Sequence, residues 1–551
     1  MKKFPFLSGL LLSAMLGHLR AESGAASPVS LEVAARAGEP VVIPSLRGIV
    51  CVPDASAAAA AVPADFAGID TSRTPLMQRP DAAELLGLFL NRPASVRSIG
   101  RLEIAVRTWL RVHGESFTVV YVPPQDVTGG VVRLVVHPAL LEGELAVAGA
   151  KWFAESHYRG EIPLRAGDPI DGAALQRGLD ELNANAYHRV RLVAERGTGE
   201  DTTRLKLVAE ERFPLTLSAS YDNTGTSVTG EERVGAGISW GNAFGRGDSL
   251  NYRFSADPDF EHAVSHFANY GMRLAGKRTL TFFGAWSKIE SLLPPPLTQT
   301  GHSWQLGTRY TLPLTAPGEG WTQNFTFGGD FKYSDNNLEF AAIPVTDNAT
   351  HIVQAGATYG LYFSKARQRA AFSASVFGSP GGLSSRNHGR YFELSRPGAK
   401  AGYVYGQLTA QYSRGLPGGA SWLTSATGQV ASGALLGSEQ LNGGGSGAVR
   451  GYRESSAFGD YGVVVNNELH APPLAIAGLR LTLDPFGFVD FASLGLEVDD
   501  QSTDLRSAGL GANLQVLDHL SVRFAYGWQL KKLDNRHNES GRGHVGANLT
   551  W

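Results

Sequence analysis

A cation and an anion about forty residues apart stand out as the pair whose neighbours make chemical sense. The run from Gly443 to Glu454 is rich in glycine, reads on through Val449-Arg450-Gly451-Tyr452, and is followed by Phe488-Val489-Asp490-Phe491-Ala492. Glycine reaches backbone conformations closed to other residues, so such a loop can fold back instead of standing in solvent. An arginine at its tip then needs an acceptor. Asp490, on an alternating strand-like segment, is the carboxylate chosen on charge alone. The alternative is two unrelated charges, one on a solvated loop and one in a wet channel.

Other motifs lead nowhere chemically. Gly541-Arg-Gly-His-Val-Gly546 satisfies G-x-G-x-x-G, but five residues remain after it and no helix follows to hold a pyrophosphate. Arg246-Gly247-Asp248 reads as a tight turn between two strands, and the run at 443–447 lacks the Lys-Ser/Thr of a phosphate loop. The 14 histidines show neither H-E-x-x-H nor zinc-finger spacing, and no G-x-S-x-G elbow occurs. A single cysteine, Cys51, excludes an internal disulfide and a multi-cysteine metal site, and reads as a small apolar strand residue. The sequence therefore points away from an enzyme, from a cofactor and, with a net charge of −2, from a nucleic-acid partner.

The elements around the pair change character along the chain. Met1-Lys2-Lys3 and the short apolar run after it read as a signal peptide over residues 1–21, cut after Ala21. That run is shorter than the ~20 residues a membrane helix needs. Residues 22–45 form a small-residue-rich N-terminal segment with room for one short helix around Leu31 to Arg36, limited by Gly24, Pro28, Gly38 and Pro40. Leu46 to Val52 reads as a strand, and an irregular stretch continues to about Pro80. Helical periodicity follows, with Leu85, Leu86, Phe89 and Leu90 on one face and Ile99, Leu102, Val106, Trp109 and Leu110 on another. Strands Phe117 to Val122 and Val131 to His137 are joined by the Pro- and Gly-bearing connection 123–130. This β-α-α-β-β order then repeats: Leu145 and Val147 alternate, Trp152 to Arg159 suggests a short helix, and Asp171 caps a second one striped by Leu175, Leu179 and Leu182. Strands Arg189 to Glu195 and Thr203 to Glu210 close the second unit.

After Phe213-Pro214 the helical period disappears. Leu215, Leu217, Ala219 and Tyr221 alternate with polar residues, as do Phe325, Phe327, Phe331 and Tyr333, and Leu520, Val522, Phe524, Tyr526, Trp528 and Leu530. Apolar-out, polar-in strands with aromatics near their ends are the pattern of a transmembrane barrel, which leaves no backbone group unpaired in lipid. About sixteen such segments begin between residues 215 and 543, an even number as bacterial barrels show. Counted from a periplasmic start, the 433–459 connection joins segments eleven and twelve on the outer side. The expected fold is thus α+β periplasmic domains followed by an all-β transmembrane barrel of antiparallel strands.

Together these features resemble the two-partner secretion transporters of the outer membrane (the haemolysin and filamentous-haemagglutinin secretion type), members of the superfamily that joins POTRA domains to a barrel. The resemblance rests on two POTRA-like units, 46–139 and 140–212, a barrel over 213–551, the Val449-Arg450-Gly451-Tyr452 loop and the F-x-D strand. Ala492 stands where that family commonly has glycine. The resemblance implies that a helix in segment 22–45 plugs the pore, that the loop tucks into the barrel and that Arg450 pairs with Asp490. It also implies that the last strand, with Leu549 and Trp551, is read by the barrel-assembly machinery. The implied partner is a large secreted exoprotein, adhesin- or haemolysin-like, taken unfolded from the periplasm and passed across the outer membrane lipid bilayer. An insertase for other barrels and a passive porin are the alternatives; two POTRA-like units favour secretion over the first, and a porin would not need residues 81–210. Strand parity places Asp490 with Arg480, Thr482 and Asp484 towards the lumen. It places Phe486 and Phe488 there as well, which fits only if the returning loop packs on them. A water-filled lumen is expected to screen the pair.

Overall fold

The computed structural model describes residues 38–551 apart from 64, 200, 275, 295, 341–342, 477, 479, 499–500 and 534–538. The signal segment 1–21, and the plug helix expected near residues 31–36, lie outside the described residues. The chain divides into two compact units. One comprises the residues up to Ala148 with Tyr158–Ala184 and Val190–Val208; the other comprises Gly149–His157, Asn185–Arg189 and Ala209–Trp551.

In the first unit, a four-stranded sheet runs in the order Gly68–Asp70, Gly48–Val52, Val131–Pro138, Thr118–Tyr121. Helices Pro80–Gly87 and Val96–Val112 cover it. The long helix begins where Ser95 and Ser98 satisfy each other's backbone N–H groups, at 3.1 and 2.7 Å, a reciprocal cap. Leu86, Leu102, Val106 and Leu110 are buried with Ile49, Cys51 and Leu134, so the periodic apolar positions form the core. The stretch expected to be irregular as far as Pro80 holds a one-turn helix, Ala55–Ala58, and the strand Gly68–Asp70, parallel to Gly48–Val52. Three residues are too few for alternation to reveal a strand. The 123–130 connection is closed by Gln125, whose amide accepts from Arg133 N at 2.8 Å and donates to Arg133 O at 2.7 Å.

The second small sheet centres on Thr202–Glu211, which pairs with Leu140–Leu141, Ala146–Ala148 and His188–Arg196. Asp171 caps helix Gly172–Asn183 by accepting from Ala174 N at 2.9 Å. Leu175 and Leu182 are buried on that helix, as are Leu205 and Leu207 on the strand.

In the second unit, sixteen antiparallel strands close into a barrel, from Leu215–Asp222 round to Gly541–Thr550. The twelfth is interrupted at Ala471-Pro472-Pro473, giving Tyr461–His470 and Leu474–Ile476, both paired with Leu481–Gly495. Proline cannot donate to a ladder, and the break falls where two occur in succession. The first strand meets the last through Ser218↔Thr550 to Asp222↔Gly546, which closes the cylinder and leaves no edge. Leu306, Val376, Leu408, Val430, Leu510 and Phe524 are exposed on the outer wall, as lipid requires. Trp286, Trp304 and Tyr333 lie side by side across three strands as part of an aromatic belt. Among the described residues no helix is long and apolar enough to cross a membrane. Arg246-Gly247-Asp248 lies at the turn between the second and third strands, Arg233–Ala243 and Asp248–Ala256.

Candidate functional site: the lumen and its latched loop

The connection between strand Ser421–Ala431 and strand Tyr461–His470 does not stand in solvent. It holds a turn of 3-10 helix, Gly437–Glu439, and a two-residue ladder, Leu441–Asn442 with Phe458–Gly459. Val449 and Tyr452 are buried with Leu441, Ala492, Leu494 and Leu505, so the loop has a small apolar core against the barrel wall.

Arg450 meets Asp490 as expected. Its Nε and Nη2 donate to the two carboxylate oxygens, each at 2.7 Å, and its backbone N–H donates to the same carboxylate at 3.0 Å. The fork of guanidinium donors matches a carboxylate in a way an ammonium cannot. The guanidinium lies 3.6 Å from the ring centroid of Phe488, and Phe486 is buried beside it. The two phenylalanines that sat awkwardly on the lumen face are the floor on which the loop's arginine stacks.

Two expectations need correction. The pair is not screened by water: only 4% of the Arg450 side chain and 0% of the Asp490 side chain are exposed. The returning loop itself excludes solvent, which strand parity could not reveal. Arg480 does not share Asp490's face on the strand, because the strand begins at Leu481 and Arg480 sits at the preceding turn with φ of 47°.

Sequence reasoning missed Glu468. This buried residue on the neighbouring strand accepts from Arg450 Nη1, and from Arg523 Nη2 at 2.5 Å. His470 bridges Glu468, at 3.0 Å, to Asp484, at 2.9 Å, and Asn513 donates to Asp484 at 2.9 Å. The signal was available as Glu468 opposite Phe488 in register, but register is not visible in one strand's alternation. Charges buried this deeply persist only when paired, and here two guanidinium groups face three carboxylates with a histidine between two of them. Burial works against the Arg450 charge, but the hydrogen bonds and attraction of Asp490 and Glu468 outweigh it and hold that group above its usual range.

Gly451 and Gly527 are needed where loop and wall touch. Gly451 has φ of 89°, and a Cβ there would stand 2.8 Å from Gly527 O. Gly451 N–H also donates to His544 Nε2 at 3.1 Å, and its carbonyl accepts from Gln529 at 2.8 Å. Tyr452 reaches further, donating to Arg506 O at 3.0 Å. The loop's other end is fastened separately. Glu439 accepts from Lys332 at 2.6 Å and from the Tyr405 hydroxyl at 2.8 Å, and Asp460 holds Arg396 at 2.5 and 2.8 Å. At the barrel's closing edge, Trp551 exchanges backbone hydrogen bonds with Leu217 at 2.9 and 3.0 Å, and Leu549 pairs with Ala219.

Helix-bearing small domains, a closed barrel with an apolar outer wall and a loop latched inside it define a POTRA-type outer-membrane barrel. Residues 201–515 match the family model of haemolysin secretion/activation proteins ShlB/FhaC/HecB, and residues 65–139 match the ShlB-type POTRA domain. The chain belongs to the haemolysin secretion/activation family. It is 25% identical over 484 residues to the outer membrane transporter CdiB of Dickeya dadantii, covering 83% of this chain and 81% of that protein. The structure of CdiB from Escherichia coli is similar at a TM-score of 0.73 and 18% identity, over 96% of this chain and 94% of that one. CdiB from Acinetobacter baumannii is similar at 0.62 and 16%, over 98% and 96%. BamA from Haemophilus ducreyi lacking POTRA domains 1–3 shares the fold at 0.52 and 14%, over 87% of this chain and 98% of that one. The protein is an outer-membrane transporter of two-partner secretion with its POTRA region in the periplasm, and the family match speaks for that reading over the insertase.

Proposed function

We propose that this transporter exports one large exoprotein, adhesin- or haemolysin-like, that residues 46–212 capture the unfolded chain and that residues 213–551 conduct it. The observation that carries this reading is the division of the molecule. A sheet whose last strand, Thr118–Tyr121, ends the strand order offers an edge for strand addition, and a barrel encloses a lumen gated by a fastened loop. Capture by edge pairing reads backbone more than side chains, which suits a long repetitive cargo. Arg450 and Asp490 form the lock that sets the loop, while Val449, Gly451 and Tyr452 seat it. Leu549 and Trp551 present the closing strand to the barrel-assembly machinery during biogenesis. No nucleotide or cofactor enters this scheme, and folding of the cargo outside supplies the drive.

The test removes the second POTRA-like unit. An in-frame deletion of Leu141 to Glu210 is expected to leave a barrel that still migrates differently in gels when unboiled, yet secretes nothing. Normal secretion by that variant would refute the division of labour.

A further inference from the structure

The lumen wall carries an uninterrupted row of hydroxyl groups. Ser255, Ser265, Ser287, Ser303, Ser334 and Thr350 are register partners in turn across six adjacent strands. Ser334 lies two residues from Lys332, whose ammonium bonds Glu439 of the loop, so the row faces the lumen. Ser287 and Ser303 are hydrogen-bonded to each other at 2.7 Å. Strands stand about 4.8 Å apart, so the row is about 24 Å long, the reach of about seven residues of extended chain. Barrel strands tilt, so a row crossing them climbs the wall. Counted from the periplasmic end of each strand, Ser255 is the eighth residue of Asp248–Ala256 and Thr350 the sixteenth of Ile343–Lys365, so the row rises from Ser255 towards Thr350 at the outer side.

Space accompanies the row. A cavity of about 430 Å³ is lined by Ser265, Ser287, Ser303, Ser334 and Thr350 together with Ser438 of the loop. A second, of about 380 Å³, shares Ser334, Thr350 and Ser438 and extends beside Arg396 and Gln440. Both exist while Arg450 is bound to Asp490. A hydroxyl donates and accepts alike, so a row of them matches the N–H and C=O of any extended backbone without reading its side chains. The row's own side chains carry no charge, and the two cations beside it, Lys332 and Arg396, are paired with Glu439 and Asp460, unlike the open wall of Glu468, Asp484 and Arg523.

Building on the export reading above, we propose that this hydroxyl row is the track along which unfolded polypeptide leaves, passing the loop at Ser438 while the loop stays latched. The test places a benzophenone amino acid at position 303 or, as the opposite-wall comparison, at position 513 of the full-length protein in lipid vesicles. The probe is a long synthetic peptide of Asn, Thr, Ser and Gly, which carries no charge and does not fold. Cross-linking is expected to be several-fold stronger at 303 than at 513. Converting Ser265, Ser287 and Ser334 to Ala should cut the yield at 303 several-fold, and converting them to Thr, which keeps the hydroxyl on a good strand former, should not. Equal or reversed yields, or an Ala variant that cross-links as the parent does, would overturn the track and leave the export reading standing. No cross-link at either position would instead remove the export reading.

Discussion

Of the arginine–aspartate forks inside the barrel, the one at Arg450 and the one at Arg309 do different work. Arg450 holds Asp490 with two bonds of 2.7 Å, and Arg309 holds Asp330 with two bonds of 2.9 Å. Each guanidinium lies over a phenylalanine, Phe488 at 3.6 Å and Phe283 at 5.1 Å. Yet Arg309 and Asp330 sit on neighbouring strands, Leu297–Leu314 and Trp321–Phe340, which the backbone ladder already joins. Arg450 sits on a loop with no ladder partner on the strand of Asp490. The first pair braces a wall that would stand without it. The second ties a loop to a strand with which it shares no ladder, and is the proposed lock. Exposure follows the same division: the Arg309 side chain is 28% exposed and that of Arg450 4%.

Breaking the loop pair is therefore expected to give the largest effect. Removing one member of a fully buried ion pair costs about 3–5 kcal/mol, because the other charge stays buried and unpaired. Arg450→Ala and Asp490→Ala should each abolish most secretion while heat-modifiable barrel is still recovered from outer membranes. Arg450→Lys should not restore it, since an ammonium cannot make the paired contact. Secretion measured for the two single variants and the double variant completes a cycle. If the two losses simply multiply, the residues act independently and the lock is wrong.

Glu468→Gln should fall between the two pairs. It keeps the side chain's size but removes the charge that Arg450 and Arg523 share, while Asp490 retains its hold. Partial secretion is expected, with protease cleavage in the 443–454 segment increased relative to the parent. Full secretion with an unchanged cleavage pattern would show that Glu468 only solvates Arg523.

The wall brace should matter less. Arg309→Ala leaves Asp330 with Gln354, whose amide donates at 3.3 Å. The loss is on the order of 1.5–3 kcal/mol, the range for a hydrogen bond to a charged group, and would be read as a lower midpoint for unfolding in urea. Secretion at the growth temperature should stay close to the parent's. A secretion defect as deep as that of Arg450→Ala would erase the distinction between brace and lock.

The contrast also explains what one sequence can disclose. The barrel was legible because alternation is repeated many times over, so small errors at strand ends average out. The first strand, expected from 215, begins at Leu215, and the last, expected near 543, begins at Gly541. Arg450 and Asp490 were legible because a glycine run and a strand each marked one partner, and resemblance to a family joined them. Glu468, Arg309 and Asp330 were not, since each is an ordinary charge at a lumen-parity position until register sets it beside a partner. The hydroxyl row was hidden for the same reason: its members are scattered along the chain and become a line only across six strands. The twelfth strand's break is a local effect of Pro472 and Pro473 and could be read directly. Gly68–Asp70 could not, because its strand character comes from the neighbour it pairs with.

The smallest expected effect concerns protonation on the periplasmic side, away from either fork. His157 and His188 lie with Nε2 atoms 3.3 Å apart, and Phe153 packs edge-on against His188 with ring centroids 4.8 Å apart. Burial pushes His188 down to about 4, with the neighbouring His157 acting in the same direction, and burial with Arg273 lowers His157. Glu211 acts oppositely on both rings but does not prevail. The folded protein thus takes up protons on these rings less readily than the unfolded chain does. Their contribution to stability is complete above the unfolded value, about 6.5, and is lost as pH falls from there towards the folded value. Amide hydrogen exchange over residues 149–157 and 185–189 should accelerate between about pH 7 and about pH 5 after correction for intrinsic exchange, while the strand bearing Asp490 should not change. In His188→Phe the titrating ring is gone, and the pH dependence of that protection should shrink. Protection that is the same at both pH values in the parent protein would show that the histidine pair does not govern this packing.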